Sequence, residues 1–301
     1  MTTLAEPIRT QHTRSVTAGA AVGFVVFWSS GFIGAKWGTT HGTAFNLLAW
    51  RYLLAAAIGL AVLAWRRPRI SRRDLTTQLV MALFSQCAYL GFIFSGIDHG
   101  VPAGVTALIG ALQPILVATV AGPLLGERVG PWQWVGLILG VGGVGLVVAG
   151  DLGAGHASPV TYLLPFAGVV ALVIGTCLDR RRRPAVGVVD GLALQVLVGA
   201  IFFTILASMT GEFTVPSEPG FYGAAIWLVV LSTGGGYGFY LLNLRLSGAT
   251  RISSLMYLVP PATMVWAWLM FGETIGLLAL AGMVISALAV VLIRTSGGVE
   301  R

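Results

Sequence analysis

Apolar blocks of about 20 residues recur along the chain and are separated by short polar connections. At about 1.5 Å of rise per residue, an α-helix of that length crosses a hydrocarbon layer of about 30 Å. Most of the connections are too short to hold a soluble domain. The pattern predicts an all-α integral membrane protein with ten transmembrane helices at Thr17–Ala35, Ala44–Ala64, Leu75–Ile97, Pro102–Leu125, Trp132–Ala149, Pro159–Leu178, Gly187–Met209, Phe221–Asn243, Ala249–Phe271 and Ile275–Ile293.

The composition excludes a soluble fold. Of the 301 residues, 56% are hydrophobic and 10% are charged, and the mean hydropathy is +0.87, whereas soluble domains carry about 25% charged residues. The first block follows Arg9 and Arg14, as the core of a signal peptide would. It is long, however, and continues into Lys36 and Trp37 without a small-residue cleavage site, so it is predicted to be helix one.

The net charge of +7 is placed so that it orients a membrane protein, and no nucleic-acid partner is expected. With the N-terminus in the cytoplasm, 16 of the 18 basic residues fall on the cytoplasmic side: Arg9, Arg14, Arg66, Arg67, Arg69, Arg72, Arg73, Arg128, Arg180–Arg183, Arg245, Arg251, Arg294 and Arg301. The other side receives Lys36 with Asp98, Asp151, Glu212, Glu218 and Glu273. The positive-inside rule therefore predicts a multi-pass protein of the bacterial-type cytoplasmic (inner) membrane, with both termini cytoplasmic.

An internal repeat divides the chain into two halves. Pro114, Gly126, Glu127 and Gly136 align without a gap with Pro260, Gly272, Glu273 and Gly282, 146 positions further on. Because five helices are an odd number, the second half must cross the membrane in the opposite sense to the first. We predict a cytoplasmic tail (residues 1–16), a first five-helix repeat (17–149), an outer connector (150–158), a second, inverted repeat (159–293) and a cytoplasmic tail (294–301). Inverted repeats place a central cavity at their interface and work by alternating access.

Several motifs in order along the chain resemble one transporter family: Phe27–Phe32 with Ala35 and Lys36, Arg51 and Tyr52, Gly104 with Ala111–Pro114, Gly126 and Glu127, and Tyr257–Pro261 with Gly272 and Glu273. Together they resemble the EamA-type family of the drug/metabolite transporter superfamily, over about residues 17–293. The resemblance implies a ten-helix inner-membrane carrier that moves amino acids or other small metabolites, commonly outward as efflux. Thr176–Arg183 departs most from the family pattern.

Arg51 is the first candidate for substrate binding, because a charged side chain inside a span costs about 3 kcal/mol or more unless it meets a partner or a wet cavity. Its planar guanidinium suits a substrate carboxylate, and Lys36 could add a second positive charge to the same vestibule. The alternatives are that Arg51 extends outward to the membrane surface or pairs with Asp98, and that Lys36 only anchors its helix at the interface.

Further polar and aromatic residues lie at mid-membrane depth. Each could bond between helices or line a water-filled cavity. As a set spread over both halves they favour a central cavity, and the predicted substrate-binding residues are Trp28, Ser30, Lys36, Arg51, Gln86, Tyr89, Gln113, Tyr237, Tyr240, Ser254 and Tyr257.

Helix breaks and gates are predicted at a second set of residues. Pro114, Pro260 and Pro261 remove backbone donors and should bend helices four and nine at matched depths, which is a common sign of a carrier's binding site. Glu127 and Glu273 follow glycines at helix ends and are interpreted as helix caps or gate residues.

These features favour a transporter of small metabolites over an enzyme or a channel, and the family resemblance implies an amino-acid or metabolite exporter that works by alternating access. The four histidines lie in loops or in the tail without metal or catalytic spacing, so we expect no enzymatic role, no metal and no cofactor. Thr233–Gly238 is similar to a potassium filter only in its letters. A lipid or lipid-linked sugar flippase of the same fold is the alternative. The sequence is compatible with a monomer or a homodimer.

Overall fold

The computed structural model describes residues 6–125, 131–154 and 157–296. Within these ranges it describes no side chains for residues 6–15, 118, 121–125, 131–133, 137, 154, 244–245, 247–254 and 289–296. Glu127 lies outside the described residues, and only the backbone of Ser254 is described. All described residues belong to helices or their connections, with no strand among them.

The regular helices have the following bounds: α1 (Glu6–Thr39), α2 (Ala44–Arg66), α3 (Arg72–Ala82), α4 (Tyr89–Asp98), α5 (Ala103–Gly110), α6 (Gln113–Leu125), α7 (Pro131–Ala154), α8 (Leu163–Arg182), α9 (Val188–Met209), α10 (Pro219–Trp227), α11 (Gly236–Leu255), α12 (Val259–Phe271) and α13 (Leu277–Ser296). Two π-helical segments join α3 to α4 (Leu83–Ala88) and α10 to α11 (Leu228–Gly235). Short 3₁₀ turns precede α8 (Pro159–Tyr162) and α12 (Met256–Leu258).

In the part of the chain that the structure describes, seven helical segments are long and apolar enough to cross a membrane: Val16–Thr39, Ala44–Arg66, Arg72–Asp98, Trp134–Gly153, Pro159–Arg182, Val188–Met209 and Pro219–Asn243. Three shorter apolar helical segments accompany them, Ala103–Val117, Met256–Phe271 and Leu277–Leu288. Large apolar side chains such as Trp65 and Leu277 are exposed on the outer surface. Such a surface suits lipid contact, since a soluble monomer rarely exposes so much apolar area.

Local signals set the helix ends. Thr43 caps α2 by accepting a hydrogen bond from the backbone N–H of Asn46, and Ser71 caps α3 through the N–H of Asp74. At the C-terminus of α12, Gly272 takes φ of +66°, a left-handed conformation that costs glycine little.

The predicted boundary between helices eight and nine is wrong. A loop was expected between Asn243 and Ala249, but α11 continues through this stretch to Leu255. The chain breaks instead at the 3₁₀ turn Met256–Leu258, directly before Pro260 and Pro261. The prolines lack the N–H that a continuing helix would need, whereas residues 244–248 contain no proline to interrupt it.

The two halves pack on each other in matching pairs. The segment α1 packs on the second π segment and on α11, and α8 packs in the same way on the first π segment and on α4. Three further pairs, α2 with α9, α5 with α12 and α7 with α13, also join one half to the other. Shifted by the 146 positions between Pro114 and Pro260, the first π segment falls on residues 229–234, inside the second. The repeat is therefore visible in irregular backbone as well as in sequence.

Polar contacts mark the two ends of the bundle. At one end, which we call the arginine-rich end (residues 66–73 and 180–183), Arg66 Nε donates to Asp190 Oδ1 at 2.6 Å. At the opposite end, the backbone N–H of Ala44 donates to Asp98 Oδ2 at 3.0 Å. This bond uses the positive end of the α2 dipole, and it ties α4 to the start of α2.

Candidate functional site

A cavity of about 640 Å³ lies between the two halves. Its walls come from α1 to α4, both π segments, the α5–α6 break, α8, α9, α11 and the 3₁₀ turn that leads into α12. Of the residues predicted from the sequence to bind substrate or break a helix, the following line it: Trp28, Arg51, Gln86, Tyr89, Gln113, Pro114, Tyr237, Tyr240 and Tyr257.

The cavity is open at the arginine-rich end and closed at the other. Its lining there includes two exposed residues, Asp179 in the last turn of α8 and Gly187 directly before α9. Toward the opposite end it is bounded by Phe32, Ile93 and Phe94, none of which is more than 8% exposed. The arrangement is that of a pocket entered from one side.

Arg51 lies on the cavity wall with its side chain almost fully buried, at 8% exposure. Its Nη2 donates to Thr233 Oγ1 at 3.2 Å, and its Cζ lies 5.5 Å and 5.6 Å from the ring centroids of Tyr52 and Phe94. Among the described residues, no carboxylate oxygen lies within 4.0 Å of the guanidinium. The guanidinium therefore keeps most of its five donors for something in the cavity.

The predicted alternatives for Arg51 do not match this geometry. Asp98 accepts from the start of α2 and does not pair with Arg51, because its carboxylate lies at the end of the bundle beside the first-turn amide of Ala44. Arg51 also does not extend to the surface, since its side chain is held among the rings of Tyr52 and Phe94.

A ladder of polar side chains runs along the wall from the neighbour of Arg51 toward the arginine-rich end. Tyr52 donates its hydroxyl to Gln86 Oε1 at 2.6 Å, and Gln86 Nε2 donates to Gln195 Oε1 at 3.2 Å. Gln195 Nε2 in turn donates to Gln78 Oε1 at 2.8 Å. All four residues line the cavity. Sequence reasoning missed Gln195 and Gln78, although the signal that identified Gln86, an amide inside an apolar helix, applies to both.

Each π segment presents polar side chains to the cavity. The first supplies Ser85 and Gln86, and the second supplies Ser232 and Thr233. A π turn inserts an extra residue into a helix and so rotates the side chains that follow, which is why such turns often occur at functional sites. Thr233 Oγ1 also donates to the carbonyl of Leu228 at 3.0 Å, across the widened turn, and so is fixed where it accepts from Arg51.

The stretch Thr233–Gly238, whose letters are similar to those of a potassium filter, is helical in the structure. Residues up to Gly235 belong to the π segment, and α11 begins at Gly236, so the stretch is helical. The sequence analysis considered Thr233 only as part of that filter-like stretch and did not predict it as a site residue. Its partner Arg51 lies 182 positions away, and no local pattern links the two.

Aromatic rings form another part of the wall. The ring of Trp28 packs against Tyr237 and Tyr240, with centroid distances of 5.5 Å and 6.2 Å. Two other lining residues also contact each other: Gln113 Nε2 on α6 donates to Thr176 Oγ1 on α8 at 3.2 Å. The site thus combines one cation, neutral hydrogen-bonding groups and a large apolar surface, which is the usual composition of a small-molecule pocket.

Two predicted binding residues lie away from the cavity. Ser30 donates its hydroxyl to the carbonyl of Phe27 at 2.7 Å, and its own carbonyl accepts from Trp227 Nε1 at 3.0 Å. Lys36 forms an ion pair with Glu273, with Nζ and Oε1 3.7 Å apart at the closed end. The hydroxyl of Ser254 and the whole of Glu127 lie outside what the structure describes.

The prolines stand at the start of new helices rather than at bends within continuous ones. Pro114 is the second residue of α6, which follows a turn at Ala111 and Leu112. Pro260 and Pro261 occupy the first turn of α12 after the turn Met256–Leu258. A proline is tolerated in a first turn because its missing N–H would have no partner there. The two breaks match in the repeat and both border the cavity.

Comparisons with known proteins agree with this architecture. The sequence model of the EamA-like transporter family matches residues 16–149 and 159–295. The chain is 30% identical over 288 residues to a "Probable terminal-alkyne amino-acid exporter" of Streptantibioticus cattleyicolor, covering 91% of this chain and 92% of that one. It is 25% identical over 270 residues to a "Probable amino-acid metabolite efflux pump" of Salmonella typhimurium, covering 87% and 89%. A solved crystal structure shares the fold, with a TM-score of 0.65 and 19% identity over 95% of this chain and 99% of that one.

Two repeated halves of apolar helices around a cavity, together with these relatives, define a membrane transporter. The chain belongs to the EamA-like transporter family, as the sequence motifs implied.

Proposed function

We propose that the protein exports small metabolites that carry a carboxylate, of the amino-acid class, with Arg51 binding the carboxylate. One observation carries the proposal: a buried arginine without a carboxylate partner among the described residues stands on the wall of a cavity that is open at one end. The names of two relatives, an amino-acid exporter and an amino-acid metabolite efflux pump, support the cargo class and the direction. The flippase alternative draws no support from the family or from these names.

The proposed topology follows from charge. The arginine-rich end is cytoplasmic, and the opposite end with Lys36, Asp98 and Glu273 faces outward. Ten transmembrane helices form two inverted repeats within residues 17–149 and 159–293, joined by the connector 150–158. Cargo then enters from the cytoplasm, through the end at which the cavity is open.

Binding uses three parts of the wall. The carboxylate accepts two parallel hydrogen bonds from the Arg51 guanidinium, replacing water there, and each such bond to a charged group contributes about 1.5–3 kcal/mol. Apolar parts of the cargo pack on Trp28 and Tyr237, while the amides of the Gln86 ladder bond its polar groups. Rocking of one half against the other would then close the cytoplasmic end and open the end held by Lys36 and Glu273.

The proposal is tested by counterflow in proteoliposomes of defined orientation, using a panel of amino acids and their derivatives. Saturable exchange of a carboxylate-bearing solute is expected for the native chain, and Arg51→Ala should abolish it. Arg67→Ala serves as the matched control, because the Arg67 side chain is exposed at the end of α2 and its Nε donates to the carbonyl of Ala64. Folding of each variant is checked by gel filtration and thermal unfolding. Undiminished exchange in a folded Arg51→Ala variant would refute the assigned role of Arg51, and no exchange of any panel member would refute the cargo class.

A further inference from the structure

Five carboxylates in the part of the chain that the structure describes have partners away from the cavity centre. Asp98 holds the start of α2 and Asp190 holds Arg66, at opposite ends of the bundle. The carboxylates whose partners the structure shows all lie at or near helix ends: Asp74 with Ser71, Asp98 with Ala44, Asp151 with Tyr162, Asp190 with Arg66 and Glu273 with Lys36.

The cavity itself has one acidic residue among its described lining, Asp179, and this residue is exposed at the mouth. Arg51 stands far from that mouth. It precedes Arg66, the arginine-rich end of α2, by 15 residues, which corresponds to a helix rise of about 22 Å. A cargo carboxylate bound by Arg51 therefore leaves the rest of a small molecule well short of Asp179.

This charge arrangement disfavours a free amino acid. When the carboxylate of a free amino acid binds the Arg51 guanidinium, its α-ammonium group lies within about 6 Å of that same positively charged guanidinium. Water screens the repulsion between the two charges poorly in this buried site. The ladder amides offer neutral acceptors on this wall, but the oxygens of Gln86, Gln195 and Gln78 each already accept a hydrogen bond. An acylated nitrogen or a hydroxyl at the same position carries no charge and avoids the repulsion.

We infer that the cavity prefers carboxylates whose α-substituent is uncharged, such as N-acylated amino acids and 2-hydroxy acids, over free amino acids. The inference rests on the proposed function and narrows its cargo class. The aromatic wall of Trp28, Tyr237 and Tyr240 and the volume of about 640 Å³ leave room for an acyl group beside an apolar side chain.

The test is competition in the same proteoliposomes at neutral pH with compounds that share a benzyl side chain. L-Phenylalanine, L-3-phenyllactate and N-acetyl-L-phenylalanine differ at the α-position, and phenylalaninamide lacks the carboxylate. Phenyllactate is the decisive compound, because it replaces the ammonium by a hydroxyl of similar size and adds no apolar surface. The measured quantity is the concentration of each compound that halves the exchange of the transported cargo. We expect this concentration to be at least about tenfold lower for phenyllactate and N-acetylphenylalanine than for phenylalanine, and to be highest for phenylalaninamide.

Equal or stronger inhibition by phenylalanine would overturn this inference while leaving carboxylate transport intact. If none of the carboxylates competes and no panel member exchanges, the proposed function fails instead, so the two failures are distinguishable.

A substitution that adds a negative charge to the wall gives a second test. Gln86→Glu places a carboxylate next to the Tyr52 hydroxyl, in the position of an amide of nearly the same shape. The expected result is a shift of the phenyllactate-to-phenylalanine preference toward phenylalanine by about tenfold. Gln86→Leu, which removes the amide without adding charge, is the matched control: it should weaken the binding of both compounds without shifting that ratio toward phenylalanine. An unchanged ratio in a folded Gln86→Glu variant would contradict the inference.

Discussion

At the residue scale, the site depends on how Arg51 is held. One hydrogen bond to Thr233 and contacts with two rings orient the guanidinium, and the remaining donors stay available. A planar fork held in this way can form two parallel bonds to a carboxylate, which the single ammonium of a lysine cannot. The charge alone is therefore not sufficient for binding.

Arg51→Lys tests this point. It keeps the positive charge and loses the fork, so we expect KM for the carboxylate cargo to rise about tenfold or more. Counterflow measured over a range of cargo concentrations gives the value. A KM within twofold of the native chain would show that charge is sufficient.

Thr233→Val removes the bond that orients the guanidinium while keeping the shape of the side chain. We expect KM to rise about three- to tenfold, as for loss of one hydrogen bond to a charged group that water can partly replace. Thr233→Ser, which retains the hydroxyl, should restore most of the affinity. If Val and Ser behave alike in transport assays, Thr233 does not position Arg51.

The sequence predicted part of this site for a physical reason. Arg51, Gln86 and Tyr89 stand out because polar groups inside apolar helices need partners. Which partner each one meets depends on helix packing across the two halves, and so the contact between Arg51 and Thr233 could not be read from either segment. Ser30 was predicted to bind substrate but does not line the cavity. A hydroxyl in a helix can donate to a backbone carbonyl of the preceding turn, and Ser30 does so.

At the element scale, the π segments are set against glycines of the opposite half. A Cβ at Gly31 would lie 2.7 Å from Ser232 Oγ, and a Cβ at Gly175 would collide with Ser85 Oγ. In both places the first helix of one half approaches the π segment of the other. Small residues therefore let the helices approach at the points where the polar wall is built.

Gly175→Ala should disturb this approach, because the added methyl overpacks the contact at a cost of about 1–3 kcal/mol. We expect a lower unfolding temperature in detergent and reduced transport. The double variant Gly175→Ala with Ser85→Ala should recover much of both, since the colliding hydroxyl is removed. Gly238→Ala is the control, because nothing lies within 4 Å of a Cβ there. A Gly175→Ala variant as stable as the control would rule out a close contact.

Element boundaries show where sequence reasoning reaches its limit. Hydrophobic blocks located the helices, and Pro260 correctly indicated an interruption near the cavity. The blocks could not show that α11 continues past Asn243 to Leu255, because a polar stretch can remain helical when no proline stops it. The π segments were also missed, since a π turn has the composition of the helix around it.

At the scale of the whole molecule, the end opposite the arginine-rich end is held shut by contacts between the halves. Lys36 on α1 pairs with Glu273 beyond α12, at 3.7 Å. Next to Lys36, the ring of Trp37 meets Trp227 of the second half edge-on, with a centroid distance of 6.0 Å, and Trp227 meets Trp266 of its own half in the same way at 5.8 Å. The aromatic contacts bury apolar surface, and the ion pair adds at most about 1 kcal/mol because it is partly exposed.

Lys36→Glu should weaken this closure, since it replaces attraction by repulsion between the halves. A single cysteine at Ala111, on the cavity wall, reports opening in a chain that also carries Cys87→Ala and Cys177→Ala. Labelling by an impermeant thiol reagent from the Lys36 side should rise up to about fivefold. The exchanged pair, Lys36→Glu with Glu273→Lys, should bring it back down. Equal labelling in all three chains would mean that the ion pair does not contribute to closure.

The two-repeat organisation was the most predictable property at this scale, because aligned prolines and Gly-Glu turns survive in the sequence. The side on which the cavity opens could not be predicted. That property depends on how closely the halves approach at each end, and both ends have similar apolar helices.

The same cysteine at Ala111 provides the most direct test of the central claim, which is that cargo binds to Arg51 inside a cavity open to the arginine-rich end. Oriented membrane vesicles are treated with the impermeant reagent from each side, with and without a carboxylate cargo at saturating concentration. We predict fast labelling from the arginine-rich side, strong protection by the cargo, and loss of that protection in Arg51→Ala. Labelling that is faster from the Lys36 side, or protection that persists without Arg51, would contradict the account.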